Sequence, residues 1–152
     1  MKSLSEIDTV SKRSSRAAGF DWGIAEEVGK NTRMLEMLGI PGIKNLNHYY
    51  KIRSKKNFEK INLVNEDNKK TQLEYCPITA GVNFLDQVIN LENLNEIKFK
   101  NIAYPILFLP FVSRASEVVG KKILLKIDNR NFLLNYNNSI YSNSLNDGII
   151  TI

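Results

Sequence analysis

The residues best suited to specific chemistry lie around a short turn near position 20. They are Arg16, Trp22, Glu26 and Glu27, together with Arg33, which follows Trp22 by eleven residues. An arginine can hold a carboxylate through two parallel hydrogen bonds, and an indole offers a flat apolar face. We predict that this group forms a polar pocket or a surface that docks a partner. An ion-paired helix hairpin with Trp22 in the core would explain the same residues.

A basic segment between positions 44 and 56 is the second candidate. Lys44, Asn47, Lys51 and Arg53 are of the types that contact phosphates and base edges. If this segment is a helix that crosses the preceding helix steeply, the pair has the outline of a helix-turn-helix. The alternative is a solvent-exposed helix face whose tyrosines enter the core.

Nucleophilic and metal chemistry have few candidates in this sequence. Cys76 is the single cysteine and His48 the single histidine. As a nucleophile, Cys76 would need a neighbouring base or a helix N-terminus to stabilise its thiolate, whereas most lone cysteines are small buried hydrophobic residues. Asp86 and Glu74 are candidates for a pair of carboxylates. We predict no metal site and no cofactor.

These candidates are positioned by three predicted helices in the first third of the chain. The Ser-x-x-Glu pattern that begins at Ser3 is typical of a capping box and predicts a helix over 4–18. Asp21 is the predicted N-cap of a second helix that ends near residue 38. A third helix is expected over 42–54. The short links between these helices imply that neighbours pack closely.

The remainder of the chain predicts short strands and short helices. The elements expected, in chain order, are strands at 60–64 and 72–75 around a turn at 66–70, a loop at 76–81 that enters a helix at 84–89, a strand at 97–99, a buried strand or boundary at 106–109, and a helix at 113–119 that stops at Gly120. Alternating apolar residues then extend from Ile123 through Leu125 and Ile127 to Tyr136, and apolar residues resume at 149–152. Turns at 128–130, 137–138 and 147–148 separate them, which predicts an antiparallel meander.

The fold class that follows is α+β, as a single domain over 1–152. We expect three N-terminal helices packed on a mostly antiparallel sheet with a C-terminal β-meander, because such a sheet needs one face covered. Residues 1–56 form the basic helical part and 57–152 the strand-rich part. The net charge is +5, and all of the excess lies within the first sixty residues. This asymmetry permits an anionic partner.

The chain contains no apolar run that predicts a membrane span. The longest run, from Ile106 to Val112, has seven residues, whereas about 20 are needed to cross a bilayer. The N-terminus lacks the apolar stretch of a signal peptide. We therefore expect a soluble, cytoplasmic protein.

Five segments carry a family resemblance. They are residues 3–7 (SLSEI), 16–30 (RAAGFDWGIAEEVGK), 38–42 (LGIPG), 76–81 (CPITAG) and 103–111 (AYPILFLPF). In this order they resemble a bacterial family named domain of unknown function 3726. The most specific block is RAAG followed by WG and AEE, and the resemblance covers roughly residues 3–120. It implies no established activity, fold or catalytic residue.

Three functional hypotheses follow from the residues. The first is a non-catalytic accessory module that binds a protein or a small anionic ligand through the group around position 20. The second is nucleic-acid binding through the basic segment. The third is a small enzyme that uses Glu26 or Glu27 as acid or base, helped by Cys76 or Asp86.

Overall fold

The computed structural model describes residues 3–68, 72–134, 140–142 and 149–151, the last two stretches by their backbone alone. Within it the chain divides into two compact units, Met1–Asn57 and Phe58–Ile152. The division falls next to the predicted change from the helical to the strand-rich part. That the whole chain forms a single domain stays a prediction.

In the first unit, the described residues from Ser3 onward form three α-helices at the predicted places. They are α1 (Leu4–Ala17), α2 (Trp22–Met37) and α3 (Gly42–Arg53). The two predicted N-caps are confirmed. Ser3 Oγ accepts a hydrogen bond from the Glu6 amide at 3.2 Å, and Asp21 Oδ1 accepts one from the Ile24 amide at 2.9 Å. A side-chain oxygen at this position satisfies an amide that has no partner within the helix.

Glycines allow the helices of this unit to reverse and to approach each other. Gly19 follows α1 with φ of 102°, and Gly39 follows α2 with φ of 76°, a conformation that L-residues rarely adopt. Gly29 lies where α2 meets α1, because a Cβ at this position would be 2.8 Å from the carbonyl oxygen of Asp8. The core between the helices includes Leu46 and the fully buried Tyr49.

The described residues of the second unit form two further α-helices, a short 3₁₀ helix and six strands. The helices are α4 (Pro77–Leu91), the 3₁₀ helix (Pro105–Leu107) and α5 (Leu109–Val119). The strands are β1 (Asp67–Asn68), β2 (Glu96–Phe99), β3 (Ile123–Ile127), β4 (Arg130–Leu134), β5 (Ile140–Ser142) and β6 (Ile149–Thr151). The α+β class is therefore confirmed.

The strands whose side chains are described form one parallel pair, β1–β2, and one antiparallel hairpin, β3–β4. The backbones of β5 and β6 complete a mixed sheet of order β1-β2-β6-β3-β4-β5. In this sheet β6 lies between β2 and β3 and is parallel to both. Three of the five pairings among the described strands are parallel, so the prediction of a mostly antiparallel sheet is corrected. The predicted C-terminal meander is corrected at β6: β3, β4 and β5 pair antiparallel in chain order, whereas β6 pairs with β2 and β3.

Burial on both faces of β3 explains the mixed pairing. The sequence analysis used the alternation of Ile123, Leu125 and Ile127, but Leu124 is buried as well. Strands with parallel neighbours are typically buried on both faces, which agrees with the parallel pairing of β3 with β6. The predicted turn at 128–130 is confirmed in position by the hairpin, with φ of 51° at Asp128. Tyr136 and the turns at 137–138 and 147–148 lie outside the described residues.

Two predicted helices of this unit are longer than expected. The segment 76–81 was interpreted as a loop, but Cys76 is the N-cap of α4, and its Sγ accepts a hydrogen bond from the Thr79 amide at 3.4 Å. The expected strand or boundary at 106–109 is 3₁₀ helix followed by the start of α5. A short apolar run that is buried all round has no period that separates strand from helix. The stop at Gly120 is confirmed, with φ of 65°.

The strands predicted at 60–64 and 72–75 are absent from the described residues, where this region forms isolated bridges from Tyr75 to Glu59 and to Ile102. Side chains of α4 take the place of a strand ladder. Gln87 accepts from the Val64 amide at 2.9 Å and donates to the Asn62 carbonyl at 2.7 Å. Because these amides satisfy the backbone, the segment needs no partner strand.

The helices of the second unit cover its own sheet. α5 packs on β3 and β4 and also contacts α4. Ser116 on α5 donates a hydrogen bond to the Leu134 carbonyl at the end of β4, at 3.0 Å. The expected packing of the three N-terminal helices on the sheet stays a prediction. Among the described residues, no helix is both long and apolar enough to cross a membrane.

Candidate functional site

An exposed tryptophan in contact with two cations marks the junction of α1 and α2. Trp22 is the first residue of α2, and 56% of its surface is exposed. The guanidinium carbon of Arg16 lies 4.8 Å from the centre of its ring, and Lys12 Nζ lies 5.5 Å from it. Together with Glu26, these residues are called the Trp22 corner below.

The geometry of the corner follows from helix spacing and from the turn. Lys12 and Arg16 are four residues apart in α1, so they lie on the same face of the helix. The turn brings the start of α2 back against this face. Arg16 Nη1 donates a hydrogen bond to the carbonyl oxygen of Phe20 within the turn, at 2.9 Å. This bond orients the guanidinium relative to the indole of Trp22.

A single ion pair is found in the corner. Lys12 Nζ lies 3.3 Å from Glu26 Oε1, and both side chains are partly exposed. Such a surface pair contributes only about 0–1 kcal/mol to stability. Because two cations face one carboxylate, the corner keeps a net positive charge. The arrangement suits an anionic group attached to an apolar or flat body.

A comparison with protein families finds one match. The family model "Protein of unknown function (DUF3726)" matches residues 2–75. The resemblance is thereby confirmed over this range, which includes the whole Trp22 corner. The resembling segments at 76–81 and 103–111 lie beyond the DUF3726 match. No curated protein and no solved structure matches the chain.

Two members of the predicted group stand apart from the corner of the DUF3726 region. Arg33 is exposed and lies eleven residues after Trp22 on α2, which is about 16 Å along the axis. Glu27 is half-buried and its Oε2 is buried, whereas the side chain of Glu26 is 53% exposed. Adjacent helical residues point about 100° apart, so the two carboxylates do not converge.

Lys12 is the residue of the corner that the sequence analysis missed. The available signal was its distance of four residues from Arg16, which places both cations on one face of α1. Lys12 contacts the ring of Trp22 and also pairs with Glu26. It is therefore the cation that joins the two helices at this corner.

The basic residues on α3 of the DUF3726 region divide into two kinds. Arg53 is half-buried, with its guanidinium carbon 4.4 Å from the ring centre of Phe20, and it donates to Tyr49 Oη at 3.3 Å. It therefore packs within the helical unit. Lys44, Asn47 and Lys51 are exposed. Their spacing of three and seven residues places them on one face of the helix.

Asn31 is a buried polar residue of the DUF3726 region without an assigned role. It is 4% exposed, and neither end of its amide has a hydrogen-bond partner among the residues that the structure describes. It lies four residues after Glu27 on α2, so both are on one flank of the helix. A buried amide without a partner costs stability.

The remaining candidates lie outside the DUF3726 corner. Cys76 is buried at the start of α4, where its Sγ also accepts from Thr79 Oγ1 at 3.4 Å. Asp86 is exposed on the same helix, and Glu74 precedes it in the chain. Among the described residues, no three His, Cys, Asp or Glu side chains group as metal ligands would. On α5, burial lowers the pKa of Arg114, and the charge of Glu117 acts in the opposite direction.

Proposed function

We propose that this chain is a non-catalytic binding module whose Trp22 corner holds an anionic group. The group is carried either by a small ligand or by a protein partner, and its shared chemistry is a carboxylate or phosphate next to an apolar body. The observation that carries the proposal is the exposure of Trp22 next to two cations. A tryptophan that served packing alone would be buried far more completely.

The physical basis is the combination of charge and a flat apolar face. The guanidinium of Arg16 presents several donors in one plane, which match the oxygens of a carboxylate or phosphate. Lys12 adds a second charge next to the same ring. The exposed part of the indole then contacts the apolar body of the ligand. Glu26 restricts the choice of ligand, because its carboxylate would repel a ligand that carries an acidic group next to it.

Trp22 itself provides the measurement, since it is the single tryptophan of the chain. Its fluorescence is recorded while benzoate, phenyl phosphate or a peptide with a free carboxylate is added. We expect a saturable change in emission, from which an affinity is obtained. The affinity of Arg16→Gln should be at least about tenfold lower, because this variant loses a charge-assisted contact. Lys30→Gln changes an exposed cation of α2 outside the corner and serves as the matched control.

Two outcomes would contradict the proposal. One is that none of the three classes of probe changes the emission in a saturable way. The other is that Arg16→Gln and Lys30→Gln weaken binding equally, because a general attraction to the positive charge would then explain the effect.

Nucleic-acid binding is the second candidate, favoured by the exposed face of α3. Lys44, Asn47 and Lys51 lie on this face, and α3 contains no acidic residue. The expected result is an affinity for duplex DNA that falls steeply with salt and is abolished by Lys44→Ala combined with Lys51→Ala. Because Arg53 packs on Phe20, its substitution tests packing as well as phosphate contact. No shift of duplex DNA at low salt would reject this candidate.

A further inference from the structure

A groove between α1 and α3 is a second surface of the helical unit. It has a volume of about 140 Å³, and its lining includes Ile7, Val10 and Ser14 of α1, and Ile43, Leu46 and Asn47 of α3. A cavity of about 150 Å³ accommodates a benzene molecule. The groove therefore has room for one leucine or phenylalanine side chain.

The groove is separate from the Trp22 corner. Val10 on its rim is 43% exposed. Lys12 follows Val10 by two positions, which places the two side chains about 200° apart around α1. The groove and the corner therefore lie on different sides of α1, and a substitution at Val10 leaves the cations at Trp22 in place.

Cations border the groove on both helices. Lys44 and Lys51 lie on the same face of α3 as Asn47, and Arg13 lies one turn after Val10 on α1. All three are exposed, and none has an ion-pair partner among the described residues. Glu6, one turn before Val10, is the acidic residue on the α1 side. Glu36 of α2 accepts a hydrogen bond from the Ile43 amide at 2.9 Å, so a second carboxylate lies next to the lining. Three cations and two carboxylates still leave the rim positive.

We propose that this groove docks an amphipathic, acidic segment of a protein partner. An apolar side chain of the segment fills the space next to Val10 and Leu46, and its acidic residues pair with Lys44 and Lys51. Helices commonly bind in this way, with apolar anchors in a groove and charges along the rim. The two lysines are about 10.5 Å apart along α3, which matches carboxylates seven residues apart on an approximately parallel partner helix.

The apolar lining favours a protein segment over a nucleic acid. The phosphates of DNA could meet the same lysines, but its backbone carries no aliphatic side chain to fill the groove. A leucine or phenylalanine gains about 1.5–3 kcal/mol when it is buried in such a place. The chemistry of the site is therefore apolar at the centre and cationic at the rim.

The test uses a fluorescein-labelled helical peptide of alanine, glutamate and leucine. Two glutamates are seven residues apart, and leucines occupy the positions between them that face the groove. One control peptide replaces leucine by alanine, and another replaces glutamate by lysine. Fluorescence anisotropy is measured with the full chain and with three variants whose fold is checked by circular dichroism: Val10→Glu, Lys44→Glu with Lys51→Glu, and Arg33→Glu as the matched control on α2.

The acidic peptide is expected to bind saturably and to lose at least about tenfold in affinity with Val10→Glu and with the double lysine variant, an effect of the size of one lost charged contact. Arg33→Glu is expected to leave binding unchanged, and so is a fourth variant, Trp22→Ala, which is measured in the same way. The Trp22→Ala result separates this proposal from that for the Trp22 corner, so either can fail alone.

Three results would overturn the proposal. One is that the alanine control binds as tightly as the acidic peptide, which would show attraction by charge alone. Another is that duplex DNA binds the same lysines more tightly than the peptide does. Absence of saturable binding by the acidic peptide is the third.

Discussion

The side chain of Trp22 is held by cation–π contacts more than by burial. Each exposed cation–π contact contributes about 0.5–1 kcal/mol, and Arg16 and Lys12 each provide one. We therefore expect Trp22→Ala to lower the free energy of unfolding by less than about 2 kcal/mol. Tyr49→Ala, at a fully buried position of the same unit, is expected to cost at least about 3 kcal/mol. Denaturation by urea, followed by circular dichroism, measures both. A larger cost for Trp22→Ala than for Tyr49→Ala would make Trp22 a core residue.

Replacing the buried Asn31 is expected to stabilise the protein, in contrast to the substitutions at Trp22 and Tyr49. Because neither end of the amide has a partner in the described part of the chain, Asn31→Leu is expected to raise the free energy of unfolding by about 1–2 kcal/mol. Thr32→Val is the matched control, since the Thr32 hydroxyl donates to the Val28 carbonyl at 2.8 Å. It is expected to gain nothing. Thermal unfolding of both variants measures the difference, and a loss of stability in Asn31→Leu would contradict this account of the amide.

The candidate site could be predicted in part from the sequence at this scale. Arg16 and Trp22 have chemistry that is evident from their types, and the short turn between them implies proximity. Lys12 was missed because its spacing of four residues from Arg16, which places both cations on one face of α1, was not used. Arg33 was grouped with the corner by residue type, whereas its distance along α2 separates it. Distance along a helix was the physical information that residue type did not supply.

At the scale of elements, the contact between α1 and α2 depends on Gly29. A Cβ at this position would lie 2.5 Å from Asp8 Oδ1 and 2.8 Å from the Asp8 carbonyl oxygen. Since a backbone atom cannot move aside easily, Gly29→Ala is expected to destabilise the protein by about 1–3 kcal/mol. Gly23→Ala is the matched control in the same helix, because the nearest atom to its Cβ would be Asp21 Oδ1 at 3.6 Å.

Gly23→Ala should be neutral or slightly stabilising, since alanine is a better helix former than glycine by up to about 1 kcal/mol. Denaturation by urea, as for the substitutions at Trp22, gives both values. Equal stabilities of Gly29→Ala and Gly23→Ala would show that the two helices have room to separate.

The elements that the sequence predicted well are those that begin at a local signal. Ser3 and Asp21 cap their helices through atoms three residues away, so the starts of α1 and α2 are contained in a few letters. The long α4 was predicted too short because Cys76 was interpreted as part of a loop. The segment 60–64 was predicted as a strand because its bonding partner, Gln87, lies more than twenty residues away. Such distant partners leave no local pattern.

At the scale of the whole molecule, charge separates along the chain. The first unit has eleven Lys and Arg against six Asp and Glu, whereas the second unit has ten of each. Both proposed binding surfaces lie in the positive unit. The mixed pairing of β6 also belongs to this scale, because an apolar strand gives no sign of whether its neighbour is parallel. The sequence therefore allowed the α+β class to be predicted but not the strand order.

This distribution of charge predicts a salt effect on anion binding. Between about 0.1 M and about 1 M salt the screening length falls from about 10 Å to about 3 Å. We expect the affinity of the Trp22 corner for phenyl phosphate to fall several-fold over this range, as followed by tryptophan emission. An affinity that rose with salt would indicate that apolar contact dominates and that Lys12 and Arg16 contribute little.

The most direct test of the central claim is native mass spectrometry of the protein captured from its own cells, since this measurement detects a bound protein and a bound small molecule alike. Wild type, Trp22→Ala, Arg16→Gln and Arg33→Gln are compared under identical conditions. The account predicts that an additional bound mass is retained by wild type and Arg33→Gln and is lost from the two corner variants. The same bound mass on all four proteins would contradict it.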